Sequence, residues 1–141
     1  MSDKVFLDTN IFIYAIDSSP SQDYKRDKAR GLIREHIEMA SGVISIQVLQ
    51  EFFVGSTRKV SFPLSAEEAL EFIQYISAFD TVIPSLDMVI AAIGLYQKHK
   101  FSFWDAMIIQ SAMVADCNLL LSEDLQHEFK LGTLTIKNPF I

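Results

Sequence analysis

The sequence predicts an α/β domain whose short, mostly parallel sheet is covered by helices on both faces. Three observations carry that expectation. Short apolar runs at Val5-Phe6-Leu7, Val43-Ile44-Ser45-Ile46, Thr81-Val82-Ile83, Asn118-Leu119-Leu120-Leu121 and Leu134-Thr135-Ile136-Lys137 alternate with longer stretches of helical periodicity. Most of these runs are continuously apolar rather than alternating, the pattern of strands buried on two sides. A length of 141 residues, 50% of them apolar, suits one continuous core, and no repeat, linker or low-complexity segment divides it. Residues 1–141 are therefore expected to form a single domain.

The first element ends abruptly. Val5-Phe6-Leu7 gives way to Asp8-Thr9-Asn10 and then to Ile11-Phe12-Ile13-Tyr14-Ala15-Ile16, a strand handing over to a helix. Asp8 then lies at the carboxyl end of a strand, the edge where open α/β sheets bind ligands. Asp8 or Thr9 could equally be a simple helix cap.

Asp17-Ser18-Ser19-Pro20-Ser21 has turn chemistry, and Pro20 suits the start of a helix running to about Met39. Its apolar face is Leu32, Ile33, Ile37 and Ala40. Lys25, Arg26, Lys28, Arg30 and Arg34 interleave with Asp23, Asp27, Glu35 and Glu38 at helix-pair spacing, which favours a solvated face over an RNA-binding stripe. Ser41-Gly42 is expected to end this helix before the Val43–Ile46 strand. Gln47 to Val54 then has helical length, with a stop expected near Gly55, and places Glu51 shortly after a strand end, as Asp8 is placed. An ordinary solvent-facing glutamate is the alternative there.

Ser65-Ala66-Glu67-Glu68 is a capping box opening a helix that ends near Phe79. Thr81-Val82-Ile83 is a short strand closed by Pro84, and Ser85 to about Lys98 is an amphipathic helix lined by Met88, Val89, Ala92 and Leu95. In the helix begun around Phe103, Asp105 shares a face with Ile108, Ile109 and Ala112, so its carboxylate faces an apolar interior and needs a partner. Ser102 and Asp105 also have capping-box spacing. After the Asn118–Leu121 strand come Ser122-Glu123-Asp124-Leu125, again acids at a strand end, with Ser122 or Asp124 a possible cap for a short helix through His127-Glu128. Leu134–Lys137 is the last strand, and Asn138-Pro139 closes the chain.

A formal net charge of -6 argues against broad electrostatic adhesion to nucleic acid. It is compatible with carboxylates gathered around a cation, which inverts the local field. Cys117 is alone, and His36, His99 and His127 are too far apart for a local zinc motif. The N-terminus Met1-Ser2-Asp3-Lys4 lacks a signal-peptide layout, and no apolar stretch is long enough for a bilayer, so a cytoplasmic protein with no membrane partner is expected.

If the strands are parallel, Asp8, Glu51, Asp105 and Asp124 gather along one sheet edge although they are distant in sequence. Carboxylates without histidine or thiolate select hard cations, Mg2+ or Mn2+. Their charge exceeds what one cation neutralises, which makes a phosphate-bearing substrate or a second ion a natural complement. That is a layout for phosphodiester hydrolysis.

The set Leu7-Asp8-Thr9-Asn10, Glu51 within Gln47–Phe52, Trp104-Asp105-Ala106 and Ser122-Glu123-Asp124-Leu125 resembles the PIN-domain ribonucleases, most of all the small toxins of VapBC-type toxin–antitoxin pairs. The resemblance spans essentially the whole chain. It implies a three-layer α/β/α sandwich with metal-dependent endoribonuclease activity on RNA. It implies that Asp8, Glu51, Asp105 and Asp124 form the metal-binding catalytic quartet, with Asn10 and Ser122 orienting ligands or water. Glu123 competes with Asp124 for the fourth acid's role. The resemblance also implies a homodimer and an antitoxin partner that covers the site. Two other readings remain: a non-catalytic module binding protein or RNA, and a phosphatase with Asp8 as nucleophile. The phosphatase ordinarily needs an aspartate two residues later, where this chain has Asn10.

Overall fold

In the computed structural model, which describes residues 3–141, the sheet is built around β1, Val5–Leu7, whose three residues are all buried. Because successive side chains of a strand point to opposite faces, complete burial requires cover on both sides. β2 (Gly42–Ser45) and β4 (Leu119–Leu121) flank β1 in parallel, β3 (Asp80–Val82) lies outside β2, and β6 (Leu134–Lys137) lies outside β4. β5 (Lys130–Leu131) adds an antiparallel edge, giving the order β3-β2-β1-β4-β6-β5. The chain builds outward from β1 through β2 to β3, then returns to place β4 on the other side of β1. The switch point therefore lies between β1 and β4, at the carboxyl ends of both strands.

Among the described residues six α-helices cover the sheet: α1 (Thr9–Ile16), α2 (Asp23–Glu38), α3 (Ile46–Arg58), α4 (Ala66–Ile76), α5 (Leu86–Lys98) and α6 (Phe103–Val114). α1 packs on both α2 and α3, α3 packs on α4, and α5 packs on α6. Between α1, α3 and α4 the aromatic rings interlock, Phe52 stacking on Phe72 at 4.9 Å and Phe12 meeting Phe79 edge-on at 5.9 Å. The expected α/β/α sandwich and its mostly parallel sheet are the observed architecture.

Several boundaries differ from expectation, each for a local reason. Pro20 opens a short 3-10 turn, Pro20–Gln22, before α2 begins. The buried line of α2 is Ala29, Ile33 and His36, and Ala40 lies beyond its end. Gly42 does not stop α2. Ala40 takes the left-handed turn at φ 51°, with Ala40 N–H bonding Ile37 O and Ser41 N–H bonding His36 O. Gly42 instead begins β2 because a Cβ there would fall 2.1 Å from the Phe79 ring. Gly55 does not end α3 either: the helix continues to Arg58, and the glycine lets Ile13 of α1 approach, a Cβ at 55 meeting Ile13 Cδ1 at 2.9 Å.

The short helix expected after β4 is absent. Its amide groups are used elsewhere: Glu123 N–H bonds the Asn10 side chain, Asp124 N–H bonds Ser122 Oγ, and Glu128, at φ 64°, bonds Ile136 O of β6. The hairpin of β5 and β6 was also not foreseen, and Gly132 at φ 58° makes its turn. Met1 and Ser2, part of the segment inspected for a leader, lie outside the described residues. No helix among the described residues is long and apolar enough to cross a membrane.

Candidate active site

Asp8 continues β1 past its last residue. Its N–H bonds Leu121 O at 3.0 Å, extending the pairing with β4, and the extended backbone at Asp8 then turns into α1. The side chain caps that helix, Oδ1 accepting from Thr9 N–H at 2.8 Å, while Oδ2 accepts from the Ser122 hydroxyl at 2.7 Å. The cap reading and the site reading of Asp8 thus describe one geometry. Asp8 is only 5% exposed, and no ion pair among the described residues involves it. Burial pushes its carboxyl up to about 7, opposed by the bonds from Ser122 and Thr9 and reinforced by repulsion from Glu51 and Asp124.

The strand after β1 in the sheet brings the rest. Ser122 directly follows β4 and is fully buried; its oxygen accepts from Asp124 N–H at 3.2 Å and from the Asn10 amide at 3.3 Å. The same Asn10 amide nitrogen reaches Asp124 Oδ2 at 3.2 Å, and Asn10 Oδ1 accepts from Glu123 N–H at 3.2 Å. Asp8, Asn10, Ser122 and Asp124 therefore share one hydrogen-bond network across β1 and β4. Asp124 is exposed at its rim.

Glu51 enters from α3, whose start Ser45 caps by accepting from Val48 N–H at 3.4 Å. The Thr9 hydroxyl donates to Glu51 Oε1 at 2.7 Å, and Gln47 Nε2 donates to Oε2 at 3.1 Å. Gln47 also donates to Trp104 O at 3.1 Å, which docks the start of α6 against α3. Asp105 lies there, half-buried, its N–H bonding Ser102 Oγ at 3.1 Å. No hydrogen bond joins Asp105 to the other acids among the described residues, yet they act on it through space. Burial raises its carboxyl, a bond with Ser102 opposes the rise, and Asp124 and Glu51 add to it. Ile108, Ile109 and Ala112, the face predicted for Asp105, are all buried.

A groove of about 760 Å³ opens at this edge, lined by Thr9, Asn10, Gln47, Glu51, Trp104 and Asp124 and extending along α1 and α3 toward Lys59. Thr9 and Gln47 were missed in the sequence, because neither titrates and the side chain of each bears on the acids through a hydrogen bond to Glu51. Glu123, the expected competitor of Asp124, is turned away: it bonds the Tyr14 hydroxyl and pairs with Lys25 Nζ at 2.6 Å. Of the basic residues of α2, Lys28, Arg30 and Arg34 are exposed as a solvated face requires, while Lys25 and Arg26 are half-buried, and two of the five also tie α2 to its neighbour. Arg26 pairs with Asp23 but also donates to Asp17 O at 3.0 Å, and Arg30 donates to Ala15 O at 2.8 Å, so both tie α2 to the end of α1.

A hard divalent cation fits this donor set. The candidate ligands are carboxylate oxygens, no basic side chain is paired with any of the four acids among the described residues, and Asp8 is buried beside two like charges. In this side-chain arrangement no three acidic, histidine or cysteine groups among the described residues converge into a ready cage.

The family model of the PIN domain matches residues 5–130. Among curated proteins, none matches the sequence. Solved structures are similar over nearly the whole chain. A toxin–antitoxin complex from Klebsiella pneumoniae has a chain 19% identical, at a TM-score of 0.69, covering 96% of this chain and 98% of its own. DNA-bound VapBC from Salmonella typhimurium is 18% identical with a TM-score of 0.69, covering 98% and 99%. VapC20 of Mycobacterium tuberculosis, a sarcin–ricin loop cleaving toxin, is 18% identical with a TM-score of 0.64, covering 83% and 87%. At these identities the likeness is one of fold.

Proposed function

The chain belongs to the PIN domain family, and from that premise we propose that it is a metal-dependent endoribonuclease, the toxin of a toxin–antitoxin pair. The carrying observation is the gathering of Asp8, Glu51, Asp105 and Asp124 about the switch point of the sheet, with no cationic side chain paired to any of them among the described residues. Mg2+ or Mn2+, when bound, would polarise the scissile phosphoryl group and supply a more acidic water.

The chain's own residues prepare that site. Asp8 is the central ligand, its two oxygens held by Thr9 N–H and the Ser122 hydroxyl. Thr9 and Gln47 aim Glu51, and Asn10 holds Asp124. Asp105 faces these groups from the start of α6, where Ser102 fixes its backbone. Locked ligands of this kind spare the site the reorganisation that catalysis would otherwise require. The groove running from the acids along α1 and α3 offers a path for an RNA strand to either side of the cleaved bond.

The fold likeness to a toxin–antitoxin complex and to VapBC supports an antitoxin partner; a homodimeric toxin acting in the cytoplasm is part of the same proposal. The test is direct. Purified protein is incubated with transfer RNA and with total RNA, in Mg2+, Mn2+ or chelator, beside an Asp8→Asn control. Discrete cleavage that needs both metal and Asp8 is expected. Cleavage by Asp8→Asn at the wild-type rate, or in chelator, would overturn the assignment. A folded protein that binds no divalent metal and cuts no RNA would instead be a binding module.

A further inference from the structure

We infer that Lys25 and Tyr14 are positioning residues of the acidic site, acting on Asp124 through Glu123. The inference rests on the reading of the acids given above. Glu123 and Asp124 are neighbours in a segment without regular secondary structure.

The side-chain contacts tell the two carboxylates apart. Glu123 Oε1 accepts from the Tyr14 hydroxyl of α1, and Oε2 pairs with Lys25 Nζ of α2 at 2.6 Å. Lys25 Nζ also reaches the Tyr14 hydroxyl at 3.2 Å and lies over the Tyr14 ring, 4.9 Å from its centre, and 5.8 Å from that of Phe140. Phe140 backs the Tyr14 ring edge-on at 5.0 Å. Two helices thus converge on one carboxylate, with Phe140 packed behind the pair that holds it.

That anchored residue also carries an amide of the site. Glu123 N–H donates to Asn10 Oδ1 at 3.2 Å, and the Asn10 amide donates to Asp124 Oδ2 at 3.2 Å. Asn10 can bridge the two only while residue 123 stays in place. The clamp therefore has two effects: it fixes the segment that presents Asp124, and it keeps a fifth carboxylate neutralised and turned out of the cluster. Lys25 contributes the charge, and Tyr14 adds a second, directional bond.

Lys25→Met, Glu123→Gln and the charge-reversed pair Lys25→Glu/Glu123→Lys test the clamp, with Tyr14→Phe as a milder variant. Both single variants are expected to lower kcat for RNA cleavage and weaken Mn2+ binding, each by about tenfold, the scale typical for groups that orient metal ligands. KM for RNA should stay near the wild-type value, and the reversed pair should regain most of the loss. In NMR the Asn10 side-chain amide signal should move in the single variants and return in the reversed pair. Unchanged kcat, Mn2+ affinity and Asn10 signal in the single variants would overturn the inference, as would a loss confined to thermal stability. Failure of the wild type itself to bind Mn2+ or cut RNA would instead remove the nuclease reading. The Asn10 signal would still decide whether the clamp positions Asp124.

Discussion

Ser122 Oγ donates to Asp8 Oδ2 across 2.7 Å, joining residues 114 positions apart at the ends of adjacent parallel strands. The same oxygen accepts from Asn10 and from Asp124 N–H, so one buried hydroxyl ties three site residues together. Ser122→Ala leaves the Asp8 carboxyl buried with one donor fewer. It is expected to lose about 1–3 kcal/mol of stability, read by denaturant unfolding. RNA cleavage should fall by about 10- to 100-fold, because a ligand's orientation is lost while the ligand itself remains.

Asp8 sets the direction of the metal-free protein's pH response. Its carboxyl is raised from 3.8 to about 7, chiefly by burial, so the native state holds this proton more tightly than the unfolded chain does. The stability it contributes is complete below about pH 4 and is lost as pH rises to about 7. At about 1.4 kcal/mol for each pH unit of separation the loss is on the order of 4 kcal/mol. In chelator, Asp8→Asn should remove this decline and be the more stable protein at pH 8. Mn2+ should raise Tm more at pH 8 than at pH 5 in the wild type, and little at either pH in Asp8→Asn. Scanning calorimetry at the two pH values reads both effects.

Gly42→Ala should destabilise although glycine is the poorer strand former. The added Cβ would lie 2.1 Å from the buried Phe79 ring and 3.3 Å from His36 Cβ, so the packed ring has to move. A loss of about 1–3 kcal/mol is expected from such overpacking. Gly94→Ala, in α5 where nothing lies within 4 Å of the new carbon, should instead gain about 0.5–1 kcal/mol. Thermal unfolding of the two variants should show opposite signs.

The two glycines explain much of what the sequence concealed. In sequence, Gly42 and Gly55 have the chemistry of helix ends, yet Gly42 opens a strand where the Phe79 ring occupies the space of a Cβ, and Gly55 lies inside α3 with Ile13 Cδ1 2.9 Å from where a Cβ would be. Both contacts lie in tertiary packing and leave no local trace. The strands around β1 were legible because burial on both faces demands apolar residues at every position. Asp8, Glu51, Asp105 and Asp124 stood out because an acid beside a buried strand or on an apolar helix face is chemically conspicuous. Thr9, Gln47 and Lys25 did not, since each gains its role only from a carboxylate brought in by the fold. The segment after β4 was misread as helical for a related reason: its amides had partners on Asn10, Ser122 and β6 that no local pattern displays.

His36 should give a pH response of the opposite sign to that of Asp8. It is buried in the last turn of α2 with its ring 2.8 Å from Ser41 Oγ. Burial pulls its pKa below the ordinary 6.5, against the upward influence of neighbouring Glu35. The native state therefore binds this proton less tightly than the unfolded chain. The stability it contributes is complete above about pH 6.5 and is lost as pH falls below that value. In the wild type the two slopes oppose each other in the weakly acidic range. Asp8→Asn removes one of them, so in chelator its stability should fall from pH 7 to pH 5, and adding His36→Gln should flatten that fall while leaving a partner for Ser41. Denaturant unfolding of both variants across this range measures the slope. An unchanged slope on adding His36→Gln to Asp8→Asn would show that His36 is not held neutral by burial.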